Sequence, residues 1–177
     1  MDFITLEKDI IEGICNIINH ISEKNYWYDI NSFCLYTDEW LMSLSLLFNT
    51  NKHYQSVKGG KYPLTYKYSP AEWFSETISI NEDQYLYEGT AFSHLSAQLL
   101  HFSMSDEFEE NRGNIVQSCL NAIRYCIDEG IFKKGKSTVY LFMMSDGYDE
   151  NEMLCWNKSL NEYPIINELT EWVEREL

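Results

Sequence analysis

Thr138-Val139-Tyr140-Leu141-Phe142-Met143-Met144 is a continuous apolar run rich in β-formers, and its reading decides the fold. Lys133-Lys134-Gly135-Lys136 precedes it as a turn, and Ser145-Asp146-Gly147 ends it. A run without alternation fits a strand covered on both faces, in a central position. Two earlier segments supply partners. Residues 30–37 (Ile-Asn-Ser-Phe-Cys-Leu-Tyr-Thr) read as a strand, and residues 40–48 (Trp-Leu-Met-Ser-Leu-Ser-Leu-Leu-Phe) as a second. The Thr37-Asp38-Glu39 turn between them predicts antiparallel pairing.

Helical patterns surround these strands. Phe3, Leu6, Ile10, Ile14, Ile17, Ile18 and Ile21 recur at near-helical spacing over residues 3–21. Residues 84–104 form another candidate, weakened at its start by Gly89. Residues 107–129 follow with Ile115, Cys119, Ala122, Ile123, Cys126 and Ile127, and Gly130 is placed to stop them. Residues 150–158 and 165–176 read as helices, the last after Pro164. Ser69-Pro70-Ala71-Glu72 has the form of a capping box with Pro at the first helical position, predicting a helix that buries Trp73 and Phe74. Residues 49–68 read as a long loop, with Gly59-Gly60, Pro63 and four lysines. The expectation is one α+β domain over 1–177. Its sheet is small, mixed or antiparallel, with several helices covering it, mainly on one face.

Composition narrows the function. Hydrophobic residues make up 45% and aromatic residues 15% of 177, too many for a disordered chain. The net charge of −15 repels phosphate backbones and anionic lipid, so neither nucleic acid nor membrane is an expected partner. Cys15, Cys34, Cys119, Cys126 and Cys155 are odd in number and show no CxxC spacing. That pattern predicts neither a disulfide framework nor a zinc site, and fits a reducing, cytoplasmic compartment. No signal-peptide pattern opens the chain, and no apolar run approaches the ~20 residues of a spanning helix.

Candidate sites are few. Asp146–Glu152 is an acidic loop after a strand, but its residues lack the spacing of a calcium loop and read as a solvated turn with helix N-terminal carboxylates. His94 and His101 are seven apart, whereas metal pairs on helices favour three or four. No nucleophile elbow or phosphate loop is present, so no catalytic, cofactor or metal residue is assigned, and the chain reads as a non-enzyme. Tyr54, Tyr62, Tyr66, Tyr68 and Trp73 interleave with Lys52, Lys58, Lys61 and Lys67. The plainer account is tyrosines capping a core and lysines solubilising a loop. A protein interface ranks next, and a nucleic-acid surface last because the flanking segments are strongly acidic.

The box Tyr66-Lys67-Tyr68-Ser69-Pro70-Ala71-Glu72-Trp73 resembles the Trp-Ser-Pro-Ala-Glu-Trp box of an uncharacterised bacterial family, domain-of-unknown-function family 4303. Phe33–Asp38, Asp128–Phe132 and Ser145-Asp146 agree with it in order, so the likeness runs from about Tyr26 to Leu160. Tyr68 stands where the family box usually begins with Trp. Small proteins of this type resemble immunity proteins encoded beside secreted toxins. The resemblance therefore implies a non-enzymatic protein-binding domain, an immunity protein whose partner is another protein such as a basic toxin domain. Charge density marks Glu107, Glu109, Glu110, Asp149, Glu150 and Glu152 as the contacts. The alternatives are a small-molecule or enzymatic site in the cleft between residues 52–68 and the strand ends, or a structural subunit with a large apolar patch.

Overall fold

A computed structural model describes residues 1–135 and 137–177; Lys136, the last residue of the expected 133–136 turn, lies outside the described residues. Three strands form one mixed sheet in the order β2-β1-β3. β1 (Ile30–Thr37) lies between its antiparallel neighbour β2 (Leu44–Thr50) and its parallel neighbour β3 (Val139–Met144). Every residue of β3 is buried, as its composition predicts, yet β3 is an edge strand and not the central one.

That edge is closed by a helix. α7 (Glu150–Leu160) runs beside β3 and presents Asn157 and, just past its end, Asn161. Phe142 N–H donates to Asn157 Oδ1 at 2.8 Å, and Asn157 Nδ2 donates to Phe142 O at 3.1 Å. One turn on, Tyr140 N–H donates to Asn161 Oδ1 at 3.0 Å and Asn161 Nδ2 donates to Tyr140 O at 2.6 Å. A primary amide offers one donor face and one acceptor, as a peptide group does. The two side chains therefore replace two residues of a missing fourth strand.

Alternation along the strands divides the core in two. Phe33, Leu35, Leu46, Phe48 and Phe142 face the larger layer, built from α1 (Phe3–Ile21), α5 (Ser93–Ser103) and α6 (Phe108–Asp128). Cys34, Val139, Leu141 and Met143 face the other way, onto α8 (Ile165–Arg175), with Leu169, Trp172, Tyr68 and Trp73 completing that layer. Each large side chain removed from water contributes roughly 1.5–3 kcal/mol, so both layers matter to stability. α6 ends in a Schellman turn. Gly130 sits at φ +66°, Ile131 N–H donates to Cys126 O at 2.9 Å, and Gly130 N–H donates to Ile127 O at 3.1 Å.

Several expectations are corrected. β2 begins at Leu44 because the Asp38 carboxylate accepts from Trp40 N–H, Met42 N–H and the Ser43 hydroxyl, folding residues 38–43 into a turn. Residues 49–68 are not one long loop, since only 58–64 lack a helix or strand. The Thr50 hydroxyl caps α2 (Asn51–Val57), which buries no residue and so shows no apolar period, and α3 (Thr65–Tyr68) is a single turn. Ser69 makes no side-chain cap, and Pro70–Glu72 is one 3-10 turn ended by extended Trp73. Burying the Trp73 indole takes precedence over continuing the helix. The 84–104 segment divides at Gly89, φ +60°, into α4 (Gln84–Tyr87) and α5.

Candidate functional site

The carboxyl ends of β1 and β3 lie side by side, and the chain leaves both into acidic segments. Asp38 and Glu39 follow β1, while Asp146, Asp149, Glu150 and Glu152 follow β3. The start of α6 joins them through Arg112. Its Nη2 donates to Gly147 O at 3.0 Å and lies 3.5 Å from Glu39 O. Gly147, at φ +69°, approaches so closely that a Cβ there would stand 2.9 Å from Glu39 Cβ. These contacts bring the two acidic groups marked in the sequence, Glu107, Glu109 and Glu110 with Asp149, Glu150 and Glu152, to one end of the molecule.

All six are exposed, and among the described residues no lysine or arginine pairs with any of them. Asp149 has a local task, since its Oδ1 accepts from Asn151 N–H at 2.9 Å and Glu152 N–H at 3.1 Å and caps α7. The helix N-termini stabilise the nearby carboxylates through their dipoles. Trp40 stands beside them, 49% exposed, its ring 6.4 Å from that of buried Phe108. A shallow recess is lined by Glu39, Trp40, Phe108, Glu109, Arg112 and Gly147. The arrangement suits contact with a cationic surface: unpaired carboxylates around one half-exposed indole. Trp40, Arg112, Asp38 and Glu39 are absent from the sequence-marked set. The Asp38-Glu39 pair in a turn was the available signal.

The other marked regions have structural employment. Tyr68 and Trp73 are fully buried, so they offer no surface. Lys67 pairs with Glu168, and the Tyr68 hydroxyl donates to the same carboxylate at 2.9 Å. Lys58 lies over the Tyr54 ring and Lys61 over the Tyr62 ring. A cleft of about 550 Å³ does open where α2 meets the strand ends, lined by Tyr26, Asp29, Thr50, Lys52, His53 and Phe74. Its polar groups serve the backbone: His53 Nε2 lies 3.0 Å from Glu72 O, and Asp29 accepts from Lys52 N–H at 2.8 Å.

Burial pushes the Cys119 and Cys126 thiols up to about 12 and raises Cys15 and Cys34, so these four are protonated at neutral pH. Among the described residues no three His, Cys, Asp or Glu side chains are grouped to hold a metal ion. His20 belongs to a cluster that no sequence spacing announces. Asp83, 63 residues away, lies 2.8 Å from its Nε2 and 2.7 Å from Lys24 Nζ. Burial raises the Asp83 carboxyl, but hydrogen bonds from Lys24, His20 and Leu86 N–H outweigh it and hold the group below its usual value.

A family model described as a domain of unknown function, DUF4303, matches residues 14–162. The chain belongs to the DUF4303 family. The matched DUF4303 span contains the whole sheet, α5, α6 and α7, and with them the acidic end and the asparagine seal of β3. Curated proteins and solved structures yield no match. Among the described residues no helix is long and apolar enough to cross a membrane.

Proposed function

We propose that this DUF4303 chain is a non-enzymatic protein-binding domain that docks a basic partner on its acidic end, in the manner of a cytoplasmic bacterial immunity protein neutralising a toxin. One observation carries the reading. Arg112 spends its guanidinium on backbone carbonyls and draws Glu109, the Trp40 turn and the start of α7 together, leaving their carboxylates without cations. Complementary charge raises association rates and rejects acidic competitors, while a desolvated indole at the centre of such a patch supplies affinity.

The test pairs the native chain with a Trp40→Ala variant and with a Glu109→Lys/Glu150→Lys variant, all as baits in the source cell's lysate. A basic protein retained by the native chain at low salt, weakened at high salt and lost by both variants is the expected result. A partner that all three baits retain equally places the contact elsewhere and overturns the proposal.

A further inference from the structure

The outer edge of β2 differs from that of β3. Thr37 O accepts from Ser145 N–H at 2.9 Å, so Thr37 directs its backbone groups towards β3. Its β2 partner is Leu44, which makes Thr37–Leu44 a pair without mutual hydrogen bonds, and Leu35–Leu46 and Phe33–Phe48 repeat it at steps of two. Leu44, Leu46 and Phe48 therefore point their N–H and C=O groups away from the sheet. Leu44 N–H donates to Ser96 Oγ at 3.2 Å, and Phe48 N–H donates to Ser75 Oγ at 3.1 Å. Leu46, between them, has no partner for either backbone group among the described residues, although the residue is only 5% exposed.

The open pair lies in the wall of a cavity of about 220 Å³ between β2, the Ser75–Ile78 segment and the Gly89–Phe92 segment. That volume exceeds the roughly 30 Å³ share of one water several-fold. Phe48, Tyr85 and Phe92 give it flat apolar walls, and Glu76, whose carboxylate has no partner among the described residues, stands in its lining. Glu76 is an exposed residue whose carboxyl is raised by partial desolvation, with no donor among the described residues to offset it. A buried backbone N–H and C=O need partners. The serine hydroxyls at Leu44 and Phe48 occupy the positions where the carbonyls of an added strand would bind, so a continuous peptide strand does not fit this edge.

We propose that the cavity binds a small planar heterocycle with adjacent donor and acceptor atoms, of the lactam or aminated-nucleobase class. Its acceptor nitrogen or oxygen takes the Leu46 N–H, its N–H donates to Leu46 O, its ring lies against the aromatic walls, and in an aminated nucleobase the second N–H of the amino group reaches Glu76. This site is separate from the acidic end and stands whether or not a protein docks there.

The experiment titrates the isotope-labelled full chain with adenine, cytosine and 2-pyridone, and with toluene as an apolar control, following backbone amides by NMR. At least one heterocycle should move the Leu46, Ser75 and Ala91 amides saturably, and bind at least about tenfold more tightly than toluene. Ala91→Leu, which fills the cavity, should abolish saturation, and Glu76→Gln should weaken binding several-fold. Absence of a Leu46 shift with all three heterocycles overturns the site. Toluene binding as tightly as the heterocycles also overturns it, because the space is then a plain apolar void. That comparison uses the native chain alone and decides the matter even if Ala91→Leu does not fold.

Discussion

Gly13 sits in the middle of α1, where glycine costs roughly 0.5–1 kcal/mol against alanine. Its neighbour explains it. A Cβ at Gly13 would stand 2.2 Å from Phe92 Cε1, inside contact distance, and Phe92 is 1% exposed. Gly13→Ala should therefore destabilise the protein by about 1–3 kcal/mol despite the better helix propensity, measured by urea unfolding. Asp83 carries a second residue-scale prediction. Its folded carboxyl lies below the ordinary value, so its contribution is present above the unfolded value near ~3.9 and is lost as pH falls through the folded one. Asp83→Asn should cost about 1–3 kcal/mol at neutral pH, and the gap from the native chain should close on acidification towards pH 3. Parallel acid titrations of unfolding check both the size and the direction.

α7 shows how far an element's role departs from its pattern. Asn157 is fully buried, and its amide meets Phe142 on both sides and Met153 O at 2.9 Å. Asn157→Leu keeps the branched side-chain shape, though larger, but leaves the Phe142 N–H and C=O without partners, which should cost about 2–5 kcal/mol in urea midpoint measurements. Asn161→Ala, at a half-buried position, should cost less. Nothing local marks these asparagines, since a helix read alone presents them as polar positions four residues apart. α1, α6 and β1 were legible because isoleucine spacing, the Gly130 stop and the apolar Phe33-Cys34-Leu35 run ahead of the Thr37-Asp38-Glu39 turn are local signals. The 69–72 box misled because its capping signal is local, whereas burial of Trp73 is decided across the chain. For the candidate site, the six acidic positions could be read from charge, but the Arg112 bridge that gathers them spans 35 residues to Gly147.

Across the whole molecule, 28 acidic residues face 13 basic ones. Such an excess destabilises the compact state by self-repulsion. Raising NaCl from about 0.01 to 0.15 M shortens the Debye length from ~30 to ~8 Å, and should raise Tm by screening this repulsion. The Lys24–Asp83 pair is screened as well, but Asp83 is largely buried and loses less. Thermal scans at constant pH check the sign. The asparagine seal also has a consequence for how the chain fails. Val139–Met144 is uncharged, free of Pro and Gly, and wholly apolar, the composition of a cross-β segment. Should α7 peel away while β1 and β2 hold, this strand would offer an open template to a second copy. The route to aggregates would then begin with one helix detaching, well before global unfolding.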